Sequence, residues 1–329
     1  LITSRDVARL AGVSQPTVSR ALRGDQRVSE ATRERVQRAA DALNYVPSET
    51  GRSLSTRMTK RIGVVVTDLT NPFYPHLIGP LHDELERHGY RMMLFTERSE
   101  TAVASQRLLD RSIDGVVLAT ATVGSRLPDD LQRRELPFVF LNREAGGQPA
   151  DAAVVDNELG GRLVARELAR LGHRTIAHIG GPADTTTGRG REMGFRLGLS
   201  EAGIGLPETA VRRGPFDFDT GYRALTEILD DPRPPSAVFC GNDVIAVGAF
   251  NAAKARGVRI PEDLTLIGFD DIPMAAWEAF DLTTVHYDLA ELAQEAARLV
   301  VQRIESRETE PRRTLFTPEL VLRGTHAAR

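Results

Sequence analysis

Asp270 and Asp271 follow directly on an apolar run, LTLIGF at 264–269. In α/β folds, ligand-binding groups sit just past the carboxyl ends of strands, which makes Asp270 a candidate binding residue; the plain alternative is a helix cap. Enzymatic chemistry finds no comparable footing. His76, His82 and His88 recur every six residues, a spacing that spreads them around a helix and builds no metal face. The GRG at 188–190 lacks the glycine spacing of a dinucleotide site, and there is neither a serine nucleophile elbow nor an HExxH. Cys240 is the only cysteine, so no disulfide framework or thiolate metal site is expected, and no cofactor is implied. A different chemistry is written in charge. Residues 1–61 carry 12 Arg and Lys, Arg20, Arg23, Arg52 and Arg61 among them, against 6 Asp and Glu, a net of +6. The remainder therefore carries −3 − 6 = −9. A basic head on an acidic body suggests that the head meets a polyanion, although composition alone leaves a chance drift equally open.

The elements that must position these groups fall into three segments. Residues 1–46 read as three short helices. Thr3 is placed to cap the first, with Asp6 as the capping-box acid, and Val7, Ala8, Leu10 and Ala11 as its apolar face. Gly12 breaks it. Ser14 caps a second helix that has Pro16 in its first turn, where the missing N–H costs nothing. Ser29 caps a third, carrying Val36, Ala39, Ala40 and Leu43. Two short helices joined by a glycine-containing turn form a helix-turn-helix. Residues 47–60 (PSETGRSLSTRMTK) are polar and poor in core material, and read as a linker. From 61 onward, apolar runs at 62–66, 92–95, 115–119, 138–141, 152–155, 175–179, 237–240 and 264–269 alternate with helical stretches. Near-continuous apolar strands imply parallel sheets covered on both faces. More than 250 residues is large for one such sheet, so the body should be α/β with two similar lobes.

Length and composition agree with this. The 329 residues, 41% hydrophobic and 26% charged, suffice for two or three compact globular units. No apolar run approaches membrane-spanning length and no signal peptide is visible, so the expected compartment is the cytoplasm. The chain opens on Leu1 rather than methionine, which predicts that a residue or a few precede it.

Longer motifs carry a family resemblance. Residues 3–48, TSRDVARLAGVSQPTVSRALRGDQRVSEATRERVQRAADALNYVPS, closely resemble the LacI/GalR headpiece, and GRSLST at 51–56 resembles that family's hinge. The body continues the match through IGVVVTDLTNPFY (62–74), DGVVLA (114–119), GHRTIAHIGGP (172–182), GREMGF (190–195), FCGNDVIAVGAF (239–250), LIGFDD (266–271) and TTVHYDLAELA (283–293). The resemblance implies an all-α helix-turn-helix headpiece at 1–46, a hinge at 47–60 and an effector-binding, dimerising body at 61–329. That body would hold two Rossmann-like subdomains of the periplasmic-binding-protein type. One lobe takes roughly 61–157 with 290–317, the other 158–286 with the tail, and the chain crosses between them three times.

By the same resemblance, the helix from Ser14 to Leu22 is the recognition helix. Gln15, Pro16 and Arg20 match positions that face base edges, whereas Ser14, Thr17 and Ser19 suit phosphates. Arg52 is assigned to DNA with them, and Leu54 matches a hinge leucine that wedges into the minor groove and kinks the duplex. Gly51 departs from the more usual alanine, which costs roughly 0.8–1.0 kcal/mol of helix stability. The effector residues carried over are Phe73, Tyr74 and Asn142 from the first lobe, and Thr187, Arg191, Phe216, Asn242 and Asp270 from the second. Arg143 and Tyr287 are further candidates. Amide, guanidinium and carboxylate groups beside aromatic faces make a polyol site, and Arg143 as a second cation favours a ligand carboxylate or phosphate. On residue type alone, Phe73, Tyr74 and Phe216 read as ordinary core.

The implied protein is a transcriptional regulator, usually a repressor, that binds a palindromic double-stranded operator as a homodimer and answers to a small carbohydrate. A purine stays open, since a corepressor-binding branch of the family uses aromatics at matching positions. Two other classes compete. A transport solute-binding protein shares the body but has no reason to carry residues 1–60, and a global regulator would take a phosphocarrier protein as co-effector. The LRGTHAAR tail lacks the leucine heptads of tetrameric members, which predicts a dimer.

Overall fold

A computed structural model describes residues 2–46, 58–96, 112–147, 149–306 and 310–329. The chain divides into two compact units, Leu1–Thr59 and Lys60–Arg329. In the first, helices α1 (Ser4–Ala11), α2 (Gln15–Ala21) and α3 (Glu30–Ala42) close over Val7, Ala8, Ala11, Val18, Ala21, Val28, Val36, Ala39 and Ala40. The Asp6 carboxylate reaches back to the backbone N–H of Thr3 at 2.9 Å and its hydroxyl at 2.8 Å, which satisfies an orphan donor of the first turn. Ser14 caps α2 by accepting from the backbone N–H of Thr17. Two expectations fail locally. Leu10 is 56% exposed, because it lies about 100° around the helix from Ala11 and so leaves the face that Val7 and Ala11 share. Ser29 occupies the N-cap position of α3, but its hydroxyl pairs with that of Thr32 instead of a backbone N–H.

The second unit is built on two parallel sheets. Strands β1 (Arg61–Val66), β2 (Arg91–Thr96), β3 (Gly115–Leu118), β4 (Phe138–Leu141), β5 (Asp151–Val155) and β11 (Arg313–Phe316) form the first, in the order β11-β5-β4-β3-β1-β2. Strands β6 (Ile176–Gly180), β7 (Val211–Arg213), β8 (Ala237–Cys240) and β9 (Thr265–Ile267) form the second, in the order β7-β6-β8-β9. Every pairing in both sheets is parallel. The apolar runs are strands, buried nearly throughout except for β2, which lies at the sheet edge and is part-exposed along its length. Helices α4 (Phe73–Arg87), α5 (Leu127–Arg133) and α10 (Leu289–Glu305) belong to the first lobe. Helices α6 (Asn157–Arg170), α7 (Thr186–Glu201), α8 (Phe218–Leu229) and α9 (Asp243–Ala255) belong to the second.

In the second lobe the helices pack backbone to backbone. A Cβ on Gly194 of α7 would lie 1.9 Å from the Glu158 carbonyl oxygen of α6, and one on Gly248 of α9 would lie 2.1 Å from that of Phe218 at the start of α8. Only glycine permits either approach, and the two helix pairs are locked as a result. The chain passes between the lobes near 155–157, 286–289 and 316–319. At the last two crossings, β10 (Thr284–His286) and β12 (Glu319–Val321) pair antiparallel, with His286 opposite Glu319.

Candidate functional site

The chemistry-bearing side chains of the body gather at the carboxyl ends of both sheets, where parallel strands leave a crevice. Asn142 and Arg143 follow β4, Gly241 and Asn242 follow β8, and Asp270 follows β9. Asn142, Asp270 and Asp271 adopt positive φ angles of 67°, 106° and 47°. The strand-to-loop exits at these points are thus sharply reversed, at a cost of order 1–3 kcal/mol each that the surrounding packing must offset.

Arg191, only 2% exposed, is the hub. Its Nε donates to Asn157 Oδ1 at 2.9 Å, Nη1 to the Gly241 carbonyl at 2.6 Å and Nη2 to Asp270 Oδ1 at 2.7 Å. The guanidinium also stacks 3.8 Å from the centroid of the Phe269 ring. Tyr287 donates its hydroxyl to the same Asp270 oxygen at 2.9 Å. Burial pushes the Asp270 carboxyl up, opposed by Arg191 and Tyr287, and burial also pushes the Tyr287 phenol well up. Beneath them, Asp243 accepts from the Thr284 hydroxyl and the Ile272 N–H; burial, reinforced by the Asp270 charge, raises it well above the usual carboxylate range. Asp270 is therefore an ion-pair partner here and caps no helix.

The other carried-over residues reach the crevice with different degrees of freedom. The Tyr74 hydroxyl shares a hydrogen bond of 2.7 Å with Thr67, and Phe73 packs edge-on against Tyr74 at 5.6 Å. Asn242 caps α9 by accepting from the Ile245 N–H at 2.9 Å, and buried Thr187 donates to the Thr185 hydroxyl at 3.3 Å. Both thus have a structural duty. By contrast, Asn142 Oδ1 and Arg143 Nε are buried and unpartnered. Arg143 and Phe216 line a cavity of about 420 Å³ together with Asp68, Asn71, Tyr74 and Asp217. Across the crevice the lobes touch directly: Asn71 donates to the Phe216 carbonyl at 2.8 Å, the Val123 N–H to the Asp184 carbonyl at 2.8 Å and the Glu144 N–H to the Thr186 hydroxyl at 3.2 Å. These contacts bridge the two lobes across the crevice.

Sequence reasoning missed Asn157, Asn71 and Phe269, all of which serve this network. A signal was present for two of them: Asn157 follows β5 at a lobe crossing, and Phe269 immediately precedes Asp270.

In the first unit, α2 presents its polar side chains with unequal commitments. The Ser14 hydroxyl is bonded to that of Thr17 at 2.8 Å, Gln15 donates to the Ser4 hydroxyl at 2.8 Å, and Ser19 accepts from Arg23 at 2.9 Å. Arg20 is exposed and has no hydrogen-bond partner among the described residues, which leaves its fork free. Arg52 and Leu54 lie outside the described residues.

A helix-turn-helix unit and a two-lobed body with a polar crevice at its strand ends define a ligand-responsive DNA-binding protein. Residues 3–48 match the model for bacterial regulatory proteins of the lacI family, and residues 165–326 match the periplasmic binding protein-like domain. The chain is 35% identical to the ribose operon repressor of Escherichia coli (strain K12), over 99% of this chain and 100% of that protein. Among solved structures, it resembles a lac repressor dimer bound to operator and the anti-inducer ONPF, with a TM-score of 0.89 and 26% identity over 99% of each chain. It also resembles the complex of the transcriptional regulator CelR with cellobiose, with a TM-score of 0.76 and 34% identity over 99% of this chain and 100% of that one. The chain belongs to the lacI family of bacterial regulatory proteins and is a DNA-binding transcriptional regulator. No helix among the described residues is long and apolar enough to cross a membrane.

Proposed function

We propose that this chain is a cytoplasmic repressor, without catalytic activity, that binds a palindromic operator as a homodimer and releases or grips it according to a carbohydrate held between its lobes. The observation that carries this reading is the crevice itself. A buried guanidinium and carboxylate, Arg191 and Asp270, stand beside the aromatic face of Phe216, with Asn142 and Arg143 offering unpartnered buried polar atoms. Asp270 accepts both its bonds at Oδ1, which leaves Oδ2 to accept a hydrogen bond from a ligand hydroxyl, and an aromatic ring suits the C–H face of a sugar. Relatives support the class: one is named for the ribose operon, and another was solved with cellobiose. A ligand bridging the lobes would bias their relative orientation and, through it, the spacing of two headpieces. A thermal-shift screen of sugars tests this, since a crevice ligand stabilises the folded body by mass action. A body that answers only to purines would overturn it.

Two expected outcomes follow for DNA. Arg20→Ala should relax sequence preference at one base position in each half-site, with loss of discrimination worth roughly 1–3 kcal/mol, because a free guanidinium can fork onto guanine O6 and N7. Selection of bound sequences from a randomised pool reads this directly, and an unchanged motif would return Arg20 to the role of a solvated charge. Footprinting should show two equivalent half-sites related by a dyad, and sedimentation the mass of a dimer, since one headpiece reads one half-site. Protection of a single asymmetric half-site by a monomer would refute the dimer.

A further inference from the structure

We propose that the first lobe carries a second small-molecule site, for a monocationic arylalkyl amine, in a cavity beside the starts of β4 and β5. The cavity holds about 370 Å³ and shares no lining residue with the crevice cavity around Phe216. It opens where helical cover runs short. Helix α10 packs on β3, β4 and β5. Helix α5, which precedes β4, has only seven residues, and β4 runs on to β5 with no helix between them among the described residues. The rim of the lobe's core is left accessible as a result. Leu136, Phe138 and Ala150 are only partly buried, and they pack against a cluster that includes Phe140, Ala152 and Val154. Phe138 and Phe140, two apart on one strand, share a face and meet edge-on at 5.5 Å. An aromatic wall and a volume near the lower end of the ligand-pocket range, roughly 300–1,000 Å³, suit an apolar body of one or two rings.

Charge decides the head group. Asp129 and Glu135 stand exposed at the cavity, and Asp151 lies in its lining. The one cation of the lining, Arg303, is already engaged: its Nε donates to Asp151 Oδ2 at 2.6 Å and its Nη2 to Oδ1 at 3.0 Å. Asp129 has no ion pair among the described residues. Three carboxylates against one guanidinium make a negative wall, which repels an anion and attracts a cation. A ring face such as that of Phe138 adds to the attraction for an ammonium group.

The segment that borders the cavity also reaches the second lobe. Gly146, Pro149 and Ala150 line the cavity, while Glu144, two residues before Gly146, donates its N–H to the Thr186 hydroxyl at 3.2 Å. An occupant that orders this segment bears on a contact between the lobes, and through it on operator affinity.

The test is calorimetry on the full-length protein with phenethylamine and tryptamine, against 2-phenylethanol as the neutral probe and 3-phenylpropionate as the anion. The amines should bind about five- to tenfold more tightly than the alcohol, and the acid more weakly than either. Asp129→Asn combined with Glu135→Gln should erase the amine preference and leave alcohol binding unchanged. Ala150→Phe, which fills the cavity, should remove both; Leu136→Trp fills it from another wall and replaces that variant if it folds poorly. Phe216→Ala, in the crevice, should leave amine binding unchanged. Saturating phenethylamine should shift operator affinity at least about twofold in the parent protein, and not in the filled variant. Alcohol or acid binding as tight as the amine's would overturn the amine assignment. Amine binding that survives cavity filling, or that is lost in Phe216→Ala, would overturn the site, as would no binding by any probe. Amine binding with operator affinity unmoved would overturn the link to DNA.

Discussion

Arg191→Ala is expected to destabilise the body by about 3–5 kcal/mol and to abolish the effector response together, because the substitution strands Asp270 as an unpaired carboxylate in the interior. The guanidinium ties the start of α6 through Asn157, the end of β8 through the Gly241 carbonyl and the end of β9 through Asp270. Calorimetric unfolding should show the loss in the body transition. Operator binding without effector should persist below that transition, since the headpiece is a separate compact unit. A double variant, Arg191→Met with Asp270→Asn, should regain most of the stability, because removing both charges also removes the desolvation problem. It should not regain the effector response, since the charged groups facing the ligand are gone. A loss below about 1 kcal/mol in Arg191→Ala would mean that Asp270 finds other solvation, and the pair would not be the hub described above.

The second large effect is in pH. His178 on β6 is fully buried, stacked 4.9 Å from Phe239 and tilted against Phe195 at 5.6 Å. Its Nδ1 faces the Phe239 carbonyl at 2.9 Å, so that nitrogen carries the hydrogen and donates, and Nε2 is left buried without a partner. Burial pulls the imidazole down from 6.5 to about 4. The unfolded chain takes up this proton below 6.5 and the folded chain refuses it until about 4. The contribution is therefore complete above 6.5 and is lost as pH falls through that window, amounting to about 3 kcal/mol by its lower end. Urea unfolding measured from pH 7.5 down to 4.5 should show the slope. His178→Gln, which can still donate to the carbonyl but does not titrate, should flatten most of it. Burial also depresses His173, which adds a smaller part of the same sign. Burial raises the Asp243 and Asp270 carboxyls, whose titration slopes the other way, so the His178 contribution is read as the difference between the wild-type and His178→Gln curves. An undiminished slope in His178→Gln would remove this residue from the account.

The sequence was most legible where one physical cause dominates. Strands such as 62–66 and 237–240 are apolar throughout because helices cover both faces, and they stood out as runs. Strands β7 (VRR), β10 (TVH), β11 (RTLF) and β12 (ELV) did not, because they lie at sheet edges or lobe crossings, are short, and mix charge with apolar residues. At the crevice, Asp270 was visible from its place after a strand. Asn157 and Phe269 had only their places beside strand ends to mark them, and Asn71 had nothing, since an amide in sequence gives no sign that a distant carbonyl will meet it. Composition likewise could not tell that Arg191 would bridge directly to Asp270 while Arg143 would form no ion pair among the described residues.

One feature of the topology bears on how the protein is made. Strand β11 completes the first sheet by pairing with β5, Arg313 beside Ala152, yet the entire second lobe lies between them in the chain. A ribosome adding about 5–20 residues per second spends on the order of ten seconds or more on that intervening stretch. Throughout it the edge of β5 stays uncovered, while the headpiece has already emerged. The nascent chain thus carries a DNA-reading module before it owns a finished sensor, and an uncovered β5 edge is open to pairing with the wrong strand. Guarding that edge during synthesis, by folding helpers or by a rapidly formed second lobe, is a requirement set by the order in which this chain leaves the ribosome.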